Sequence, residues 1–363
     1  MRIGFLVTHL LGTGHLARTG ALADAFAAAG HDALVLSGGL PAPLAAPKAA
    51  ALRQLPPLRS DAGFTALLDA EDREAGPDLL AARIREIGTT LYAFAPEVLV
   101  TELFPFGRRK LAVEFEAGIA AARGALTLCS IRDILQRPRK PGRKAEAEAR
   151  LARYYDGILF HGDGALAGLE ESWPLPDTLR PMVRETGYIG ERTIPEAGGT
   201  DGLGEIVVAA GGGATGEALF RAAAGAAHAM PERRWRLLGP LRHDIALPPN
   251  AVAEAARSDF RTLLARCDAA VLQCGYNTAM DVAAADARVV WCPFEGEGET
   301  EQMQRARAMT ARFGGAIVRE RDLSPDALTA ALRTVVEEPR PDHSALRLDG
   351  AARSVRIVED ILA

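Results

Sequence analysis

His15 closes the stretch Gly12-Thr13-Gly14-His15, which lies between the apolar run Ile3 to Val7 and an Ala/Leu-rich helical pattern reaching Ala29. A neutral imidazole at such a loop could take a proton from a hydroxyl or from water, because its pKa lies near working pH. It could equally cap or support the loop. Gly14 would then stand at the N-terminus of the helix, on the side of the sheet where ligands bind in open α/β folds. Glu102 and Asp133 each follow an apolar run. They are alternative bases if they face the same side, and ordinary caps or ion-pair partners if they do not.

A second group of residues suits a phosphate. Gly211-Gly212-Gly213-Ala214-Thr215-Gly216 sits between an apolar run and a helical pattern, so its amides and the helix dipole would make either an anion site or a tight turn. No Gly-Lys-Ser/Thr ends it and its spacing departs from the dinucleotide fingerprint, which disfavours a P-loop and NAD. Further on, Cys274-Gly275-Tyr276-Asn277-Thr278 reads as a loop before a helix, with Asp281 just inside that helix. The amides around Gly275, Asn277 and Thr278 could face another phosphate oxygen, and Asp281 could accept from ribose hydroxyls. Glu301 and Gln302, at the next helix start, could read sugar hydroxyls. Carboxylates in first turns also merely offset the helix dipole, so each alone has a plain structural reading.

The elements that would position these residues follow a simple grammar. Runs of four or five mostly apolar residues at 3–7, 33–36, 97–101, 125–129 and 157–160 alternate with helical stretches, among them an acidic one near 67–85 and one over 111–122. Continuous apolar runs with helices between them imply a parallel sheet covered on both faces. The segment 190–204 is poor in apolar residues and rich in Gly, the best candidate linker. After it the opening repeats: a strand at 205–210, glycines, and a helix over 215–230, followed by strands at 235–238, 269–272 and 289–291 and a helical tail over 344–362. The expectation is an α/β protein of two Rossmann-like domains facing across a cleft, residues 1–190 and 204–363.

Composition narrows the function. With 42 Lys and Arg against 47 Asp and Glu, the net charge of −5 lacks the footprint of a nucleic-acid binder. Cys129, Cys267, Cys274 and Cys292 lie singly in apolar stretches, without metal-ligand spacing, and read as reduced core thiols. The beginning of the chain lacks the features of a signal peptide, and no run is long enough to span a membrane. A cytoplasmic protein is expected, or one peripheral to a membrane. The stretch Arg132 to Arg153, with Arg108-Arg109-Lys110 before it, is locally basic. It reads either as a solvated loop broken by Pro138 and Pro141 or as a surface for a phosphorylated acceptor or an anionic membrane.

Taken together, Cys274 to Thr278, Asp281, Pro293 and Glu301-Gln302, with Gly211 to Gly216 before them, resemble the donor domain of GT-B glycosyltransferases of the family 28 type. The Gly12 to His15 loop is similar to that family's N-terminal glycine-rich loop. The resemblance implies a metal-independent, inverting transfer of a sugar from a nucleotide sugar, expected to be a UDP sugar. The acceptor would be a hydroxyl on a small molecule, a lipid-linked group or a glycan. No cofactor is implied beyond that co-substrate. It implies that Gly212, Gly213 and Thr278 lie by the diphosphate, Asp281 by the ribose, Glu301 and Gln302 by the donor sugar, and main-chain groups near Ser258 and Phe260 by the base. The chain departs from the family in Gly213-Ala214-Thr215 and in the acidic loop Glu295 to Glu299. Gly12 to Arg18 also looks like the G-x-G-H-x-x-R loop of nucleotide-sugar hydrolases, which leaves hydrolysis, 2-epimerisation or plain nucleotide-sugar binding as alternatives on the same scaffold.

Overall fold

The computed structural model of the chain describes residues 1–61, 65–138, 140–196, 198–210, 216–241 and 244–363. Two compact units emerge: unit 1 comprises Met1–Gly164, Gly168–Ile189 and Asp349–Ala363, and unit 2 comprises Ala165–Ala167 and Gly190–Leu348.

Unit 1 runs β1 (Arg2–Val7), α1 (Gly14–Ala28), β2 (Asp32–Ser37), β3 (Ala51–Gln54), β4 (Arg59–Ser60), β5 (Leu67–Leu68), α2 (Pro77–Phe94), β6 (Val98–Glu102), α3 (Ala112–Ala121), β7 (Leu126–Arg132), α4 (Pro141–Tyr154), β8 (Gly157–His161), α5 (Leu169–Ser172) and β9 (Val183–Glu185). Seven strands form one sheet in the order β3-β2-β1-β6-β7-β8-β9, every neighbouring pair parallel. β4 and β5 form a separate antiparallel pair. Alternate strand residues bury on opposite faces. Phe5, Val35 and Val100 pack with Leu16, Leu22 and Phe26 of α1, while Leu6, Leu99, Ile131 and Phe160 pack with Ile87, Leu91 and Phe115 of α2 and α3. Burial on both faces is why these strands read as unbroken apolar runs. The strand order reverses between β1 and β6, the switch point at which open α/β sheets bind ligands beyond the carboxyl ends of their strands.

Unit 2 repeats this plan with β10 (Glu205–Ala209), α6 (Glu217–Ala229), β11 (Arg234–Leu238), β12 (Ala251–Glu254), α7 (Phe260–Arg266), β13 (Ala269–Leu272), α8 (Tyr276–Ala285), β14 (Val289–Trp291), α9 (Glu301–Phe313), β15 (Ala316–Ile317) and α10 (Pro325–Val335). Its strand order is β12-β11-β10-β13-β14-β15, with the reversal between β10 and β13. Gly216 permits α6 to start close to the sheet, since a Cβ there would come within 2.2 Å of the Ala210 Cβ.

Several expectations shift. The last helix, α11 (Gly350–Leu362), belongs to unit 1; the expected range 204–363 includes it in the second domain, while the GT-B resemblance implies a C-terminal helix that crosses back onto the first. This helix buries Val355 and Val358 in the same cluster as Phe26 of α1. The expected linker 190–204 belongs to unit 2 and is tied down there: Arg261 donates to the Glu191 carbonyl and Thr262 to the Pro195 carbonyl. The acidic helix expected near 67–85 begins only at Pro77, because 67–68 pairs as β5. Pro141 does not break the basic stretch but opens α4, a position where its fixed φ suits the helix and its missing N–H costs nothing. All four cysteines are buried and none forms a disulfide. No helix among the described residues is long and apolar enough to cross a membrane.

Candidate functional site

At the switch point of unit 1 the chain leaves β1 and turns through Gly12, at φ 64, into α1. Thr13 at the N-cap makes no side-chain cap, and no acidic residue occupies the first turn. Gly14 is exposed there and His15 half-buried, its side chain 12% exposed. His15 Nδ1 lies 2.8 Å from Glu102 Oε1. Glu102, the last residue of β6, is also bound by the Arg18 guanidinium one turn along α1, and its Oε2 accepts from the Ser130 hydroxyl at 2.7 Å. Glu102 and Arg18 are each 2% exposed.

The electrostatics of this cluster are set by burial and by arginines. Burial alone would raise the Glu102 carboxyl. Arg18, with hydrogen bonds from His15 and Ser130, instead holds it well below the usual range. His15 moves down to about 3 because burial, and then Arg108, disfavour the imidazolium more than Glu102 favours it. Arg108 is itself lowered to about 10 by burial and by Arg132 and Arg18, with Glu102 opposing. His15 is therefore neutral at neutral pH. Nδ1 lies 2.8 Å from the ionised Glu102 oxygen and 3.1 Å from an Arg18 nitrogen that also donates to that oxygen; the shorter contact, to a group that only accepts, assigns the proton to Nδ1 and leaves Nε2 its lone pair. That is the tautomer a general base needs.

Asp133 reaches the same end of the sheet but is fully buried, and its carboxylate accepts from the Ile134 amide. Of His15, Glu102 and Asp133, only His15 offers surface to a reacting group. Arg18 is the arginine of the G-x-G-H-x-x-R stretch; Ser130, His161 and Thr186, which complete the polar cluster with it, were not singled out by sequence reasoning. Their available signal was that Ser130 and His161, like Glu102, stand at or near the end of an otherwise apolar strand.

In unit 2, Gly211, Gly212, Gly213 and Thr215 lie outside the described residues. Gly275 is the N-cap of α8, again without a side-chain cap or an acidic residue in the first turn. Asn277 and Thr278 thus lie in the first turn of α8 rather than in a loop. Asn277, Thr278 and Asp281 share one half-buried helix face through their i,i+3 and i,i+4 spacing. Partial burial pushes the Asp281 carboxyl up, and Arg261, 3.9 Å away, pulls it back. Ser258 lies in the turn before α7 and Phe260 opens that helix. Glu301 is 5% exposed at the start of α9. Gln302 uses its side-chain oxygen to accept from the Phe294 amide at 3.1 Å. In the acidic loop, Glu295 pairs with Arg319, which holds its carboxyl low against a smaller effect of burial. Among the described residues no group of three or more His, Cys, Asp or Glu side chains could hold a metal ion.

No protein-family model matches the chain. A stretch of 80 residues is 34% identical to the UDP-N-acetylglucosamine--N-acetylmuramyl-(pentapeptide) pyrophosphoryl-undecaprenol N-acetylglucosamine transferase of Paracidovorax citrulli (strain AAC00-1), and it spans 22% of this chain and 22% of that protein. Solved structures match over nearly the full length. The calicheamicin glycosyltransferase CalG4 has a TM-score of 0.66 at 17% identity, covering 100% of this chain and 98% of its own. The spinosyn rhamnosyltransferase SpnG, complexed with thymidine diphosphate, has a TM-score of 0.61 at 16% identity, covering 100% of both. MurG of Acinetobacter baumannii has a TM-score of 0.57 at 13% identity, covering 99% and 98%. Two doubly wound units joined in this order, with neighbours of this kind along the whole chain, give the protein the GT-B fold of glycosyltransferases.

Proposed function

We propose that the protein is an inverting glycosyltransferase that moves a sugar from a nucleotide sugar, a UDP sugar, to a hydroxyl acceptor without a metal ion. The observation that carries this reading is the His15–Glu102 pair at the switch point of unit 1, with the imidazole Nε2 left as an acceptor. In the reaction His15 Nε2 takes the proton of the acceptor hydroxyl as its oxygen bonds to the anomeric carbon. The bond from that carbon to the diphosphate oxygen breaks on the opposite face, and its electron pair leaves with the nucleotide. The imidazolium so formed is stabilised by Glu102, to which it already donates through Nδ1.

Unit 2 is the donor-holding half in this reading. The uncapped N-terminus of α8 at Gly275, with Thr278 beside it, would bind the leaving phosphate through amides and helix dipole, in place of a cation. Asp281 on the same face would accept from the ribose, and Glu301 and Gln302 would meet the sugar. Gly211 to Thr215 would complete the phosphate site. The short resemblance to a UDP-N-acetylglucosamine transferase favours uridine; the thymidine diphosphate bound by SpnG makes thymidine the competitor.

Thermal unfolding with UDP, dTDP, GDP and ADP tests the donor half. A nucleotide at 100 times its Kd adds about 2.7 kcal/mol, a rise of several degrees for a domain of this size. UDP should stabilise the protein selectively, and Asp281→Asn should weaken that shift without lowering the unliganded midpoint. Selective stabilisation by dTDP would replace the base in the proposal. Silence from all four nucleotides at millimolar concentration would sink it.

A further inference from the structure

The polar network of unit 1 does not end at Glu102. Behind its second carboxylate oxygen, Ser130 Oγ lies 2.7 Å from Oε2, His161 Nε2 lies 3.0 Å from Ser130 Oγ, and Thr186 Oγ1 lies 2.8 Å from His161 Nδ1. Ser130 is 2% exposed, and His161 and Thr186 are fully buried. Glu102 and His161 end β6 and β8, Ser130 lies near the end of β7 and Thr186 directly follows β9, and parallel pairing places Glu102 directly opposite Ser130.

The proton positions follow by elimination. An ionised carboxylate only accepts, and Arg18 keeps Glu102 ionised, so the Ser130 hydroxyl donates to Oε2. That spends the one serine proton, and His161 must therefore donate to Ser130 through Nε2–H. Burial, and then the positive charge of Arg18, hold the His161 pKa down to about 3 against the pull of Glu102. A neutral imidazole has one N–H, so Nδ1 accepts, and its donor is Thr186. The Thr186 hydroxyl also lies 2.8 Å from the Gly187 carbonyl and 3.2 Å from the Phe160 carbonyl, but a proton placed on either would leave Nδ1 facing an oxygen lone pair. Every donor in the chain points toward Glu102.

We propose that Ser130 and His161 are positioning residues for His15: the chain Thr186, His161, Ser130 pins one oxygen of Glu102 so that the other stays on the His15 imidazole. The alternative geometry is plain. Arg18 binds Glu102 beside His15, and Arg–carboxylate pairs favour a two-pronged arrangement. A carboxylate released from Ser130 would turn both oxygens to Arg18 and drop the His15 N–H. His15 would then sample the tautomer protonated on Nε2, with no lone pair for an acceptor hydroxyl. The proposal rests on His15 being the base, and the groups facing the His15–Glu102 pair are Arg18 from α1, Arg108 from the loop after β6, Ser130 and Cys129 from β7, and His161 from β8, with Arg132 of β7 acting on Arg108.

The test reads the ring nitrogens directly, by nitrogen NMR of the full chain labelled in histidine, with His15→Ala and His161→Gln assigning the signals. In the unsubstituted protein His15 should be protonated on Nδ1 and His161 on Nε2; His161 protonated on Nδ1 overturns the proposal without any variant. Ser130→Ala should shift His15 toward a mixture of tautomers and lower kcat for UDP release from UDP-N-acetylglucosamine by about tenfold or more, worth roughly 1.4 kcal/mol of barrier, with KM unchanged. His161→Phe should follow it in direction. His161→Gln, whose amide N–H can replace the Nε2–H, should recover most of the loss. Unchanged His15 nitrogen signals in Ser130→Ala overturn the proposal, whatever the rate does. If the tautomers are as expected but His15→Ala retains turnover, the base assignment fails instead, and the two failures are told apart.

Discussion

Unit 1 buries two arginine–glutamate pairs, and they differ in what surrounds the charges. Arg83 of α2 and Glu114 of α3 meet at 2.8 and 2.9 Å in a two-pronged contact, 0% and 3% exposed. The remaining Arg83 donors go to the Gly38 and Pro56 carbonyls and to the Thr8 hydroxyl, which itself donates to Glu114. That pair is closed: each guanidinium N–H has an acceptor, and the contacts tie α2 and α3 to the segments that follow β1 and β2. Arg18 and Glu102 are as deeply buried, yet one carboxylate oxygen is shared between Arg18 and a histidine that reaches the surface. The same two residue types thus fix a loop in one place and leave a proton-accepting nitrogen in the other. The difference lies in the third partner, a hydroxyl in the closed pair and an imidazole in the open one.

The sharpest way to break this comparison is to remove the third partner of the open pair. His15→Ala should lower turnover by roughly 10²- to 10⁴-fold, the usual contribution of a general base, while the unfolding midpoint and the UDP-induced shift stay near those of the parent. Retained turnover would show that the open pair has no chemical role. Arg83→Met should do the reverse. It leaves Glu114 buried without its cation, which costs about 3–5 kcal/mol, read as a lower denaturant midpoint at unchanged slope. The fraction still folded should turn over at the parent rate. A stable Arg83→Met protein with a large loss of kcat would mean that the two pairs are not functionally separate.

Acid separates the pairs less strongly. Burial holds the His15 and His161 imidazoles down to about 3 in the folded state, against the ordinary value of 6.5. The unfolded chain therefore binds more protons between these values, and stability falls as pH drops through that window and levels off above it. His9 and His343 are lowered as well, chiefly by burial, and add to the slope. Replacing His15 by Ala should reduce proton uptake on unfolding at pH 5 by about one proton. Equal uptake in His15→Ala and parent would show that the imidazole titrates normally in the folded state.

The same contrast explains what the sequence revealed. Strands buried on two faces announce themselves as apolar runs, which is why 269–272 and 289–291 are read to the residue. β3 and β12 lie at sheet edges with mostly exposed residues and carry no such pattern. The start of α4 was hidden because a proline that ends one element and a proline that opens the next look alike in one dimension. His15 and Glu102 were legible singly, from a glycine-rich loop and a strand end. Their contact was not, since 87 residues separate them. The rest of the open cluster was less legible still: Ser130, His161 and Thr186 are ordinary polar residues until parallel register brings their strands side by side.

The smallest effect is expected where the closed pair loses only its hydroxyl. Thr8→Val keeps the shape of the side chain but removes the proton given to Glu114 and the oxygen that accepts from Arg83. One buried N–H of Arg83 then lacks its acceptor, at a cost of about 1 kcal/mol, or roughly 2–4 °C in the midpoint. Thr8 also begins the segment that leads to Gly12 and His15, and its carbonyl accepts from Arg108 Nε at 2.6 Å, a bond the substitution leaves in place. Turnover per folded molecule should therefore stay at the parent value. Thr8→Val and Ser130→Ala each delete one hydroxyl from one buried glutamate, so the comparison between them is direct. The first should move stability and spare the rate; the second should move the rate and the His15 tautomer. If Thr8→Val instead lowers kcat tenfold at unchanged midpoint, the closed pair acts on the chemistry through the loop, and the division between a structural and a functional pair collapses.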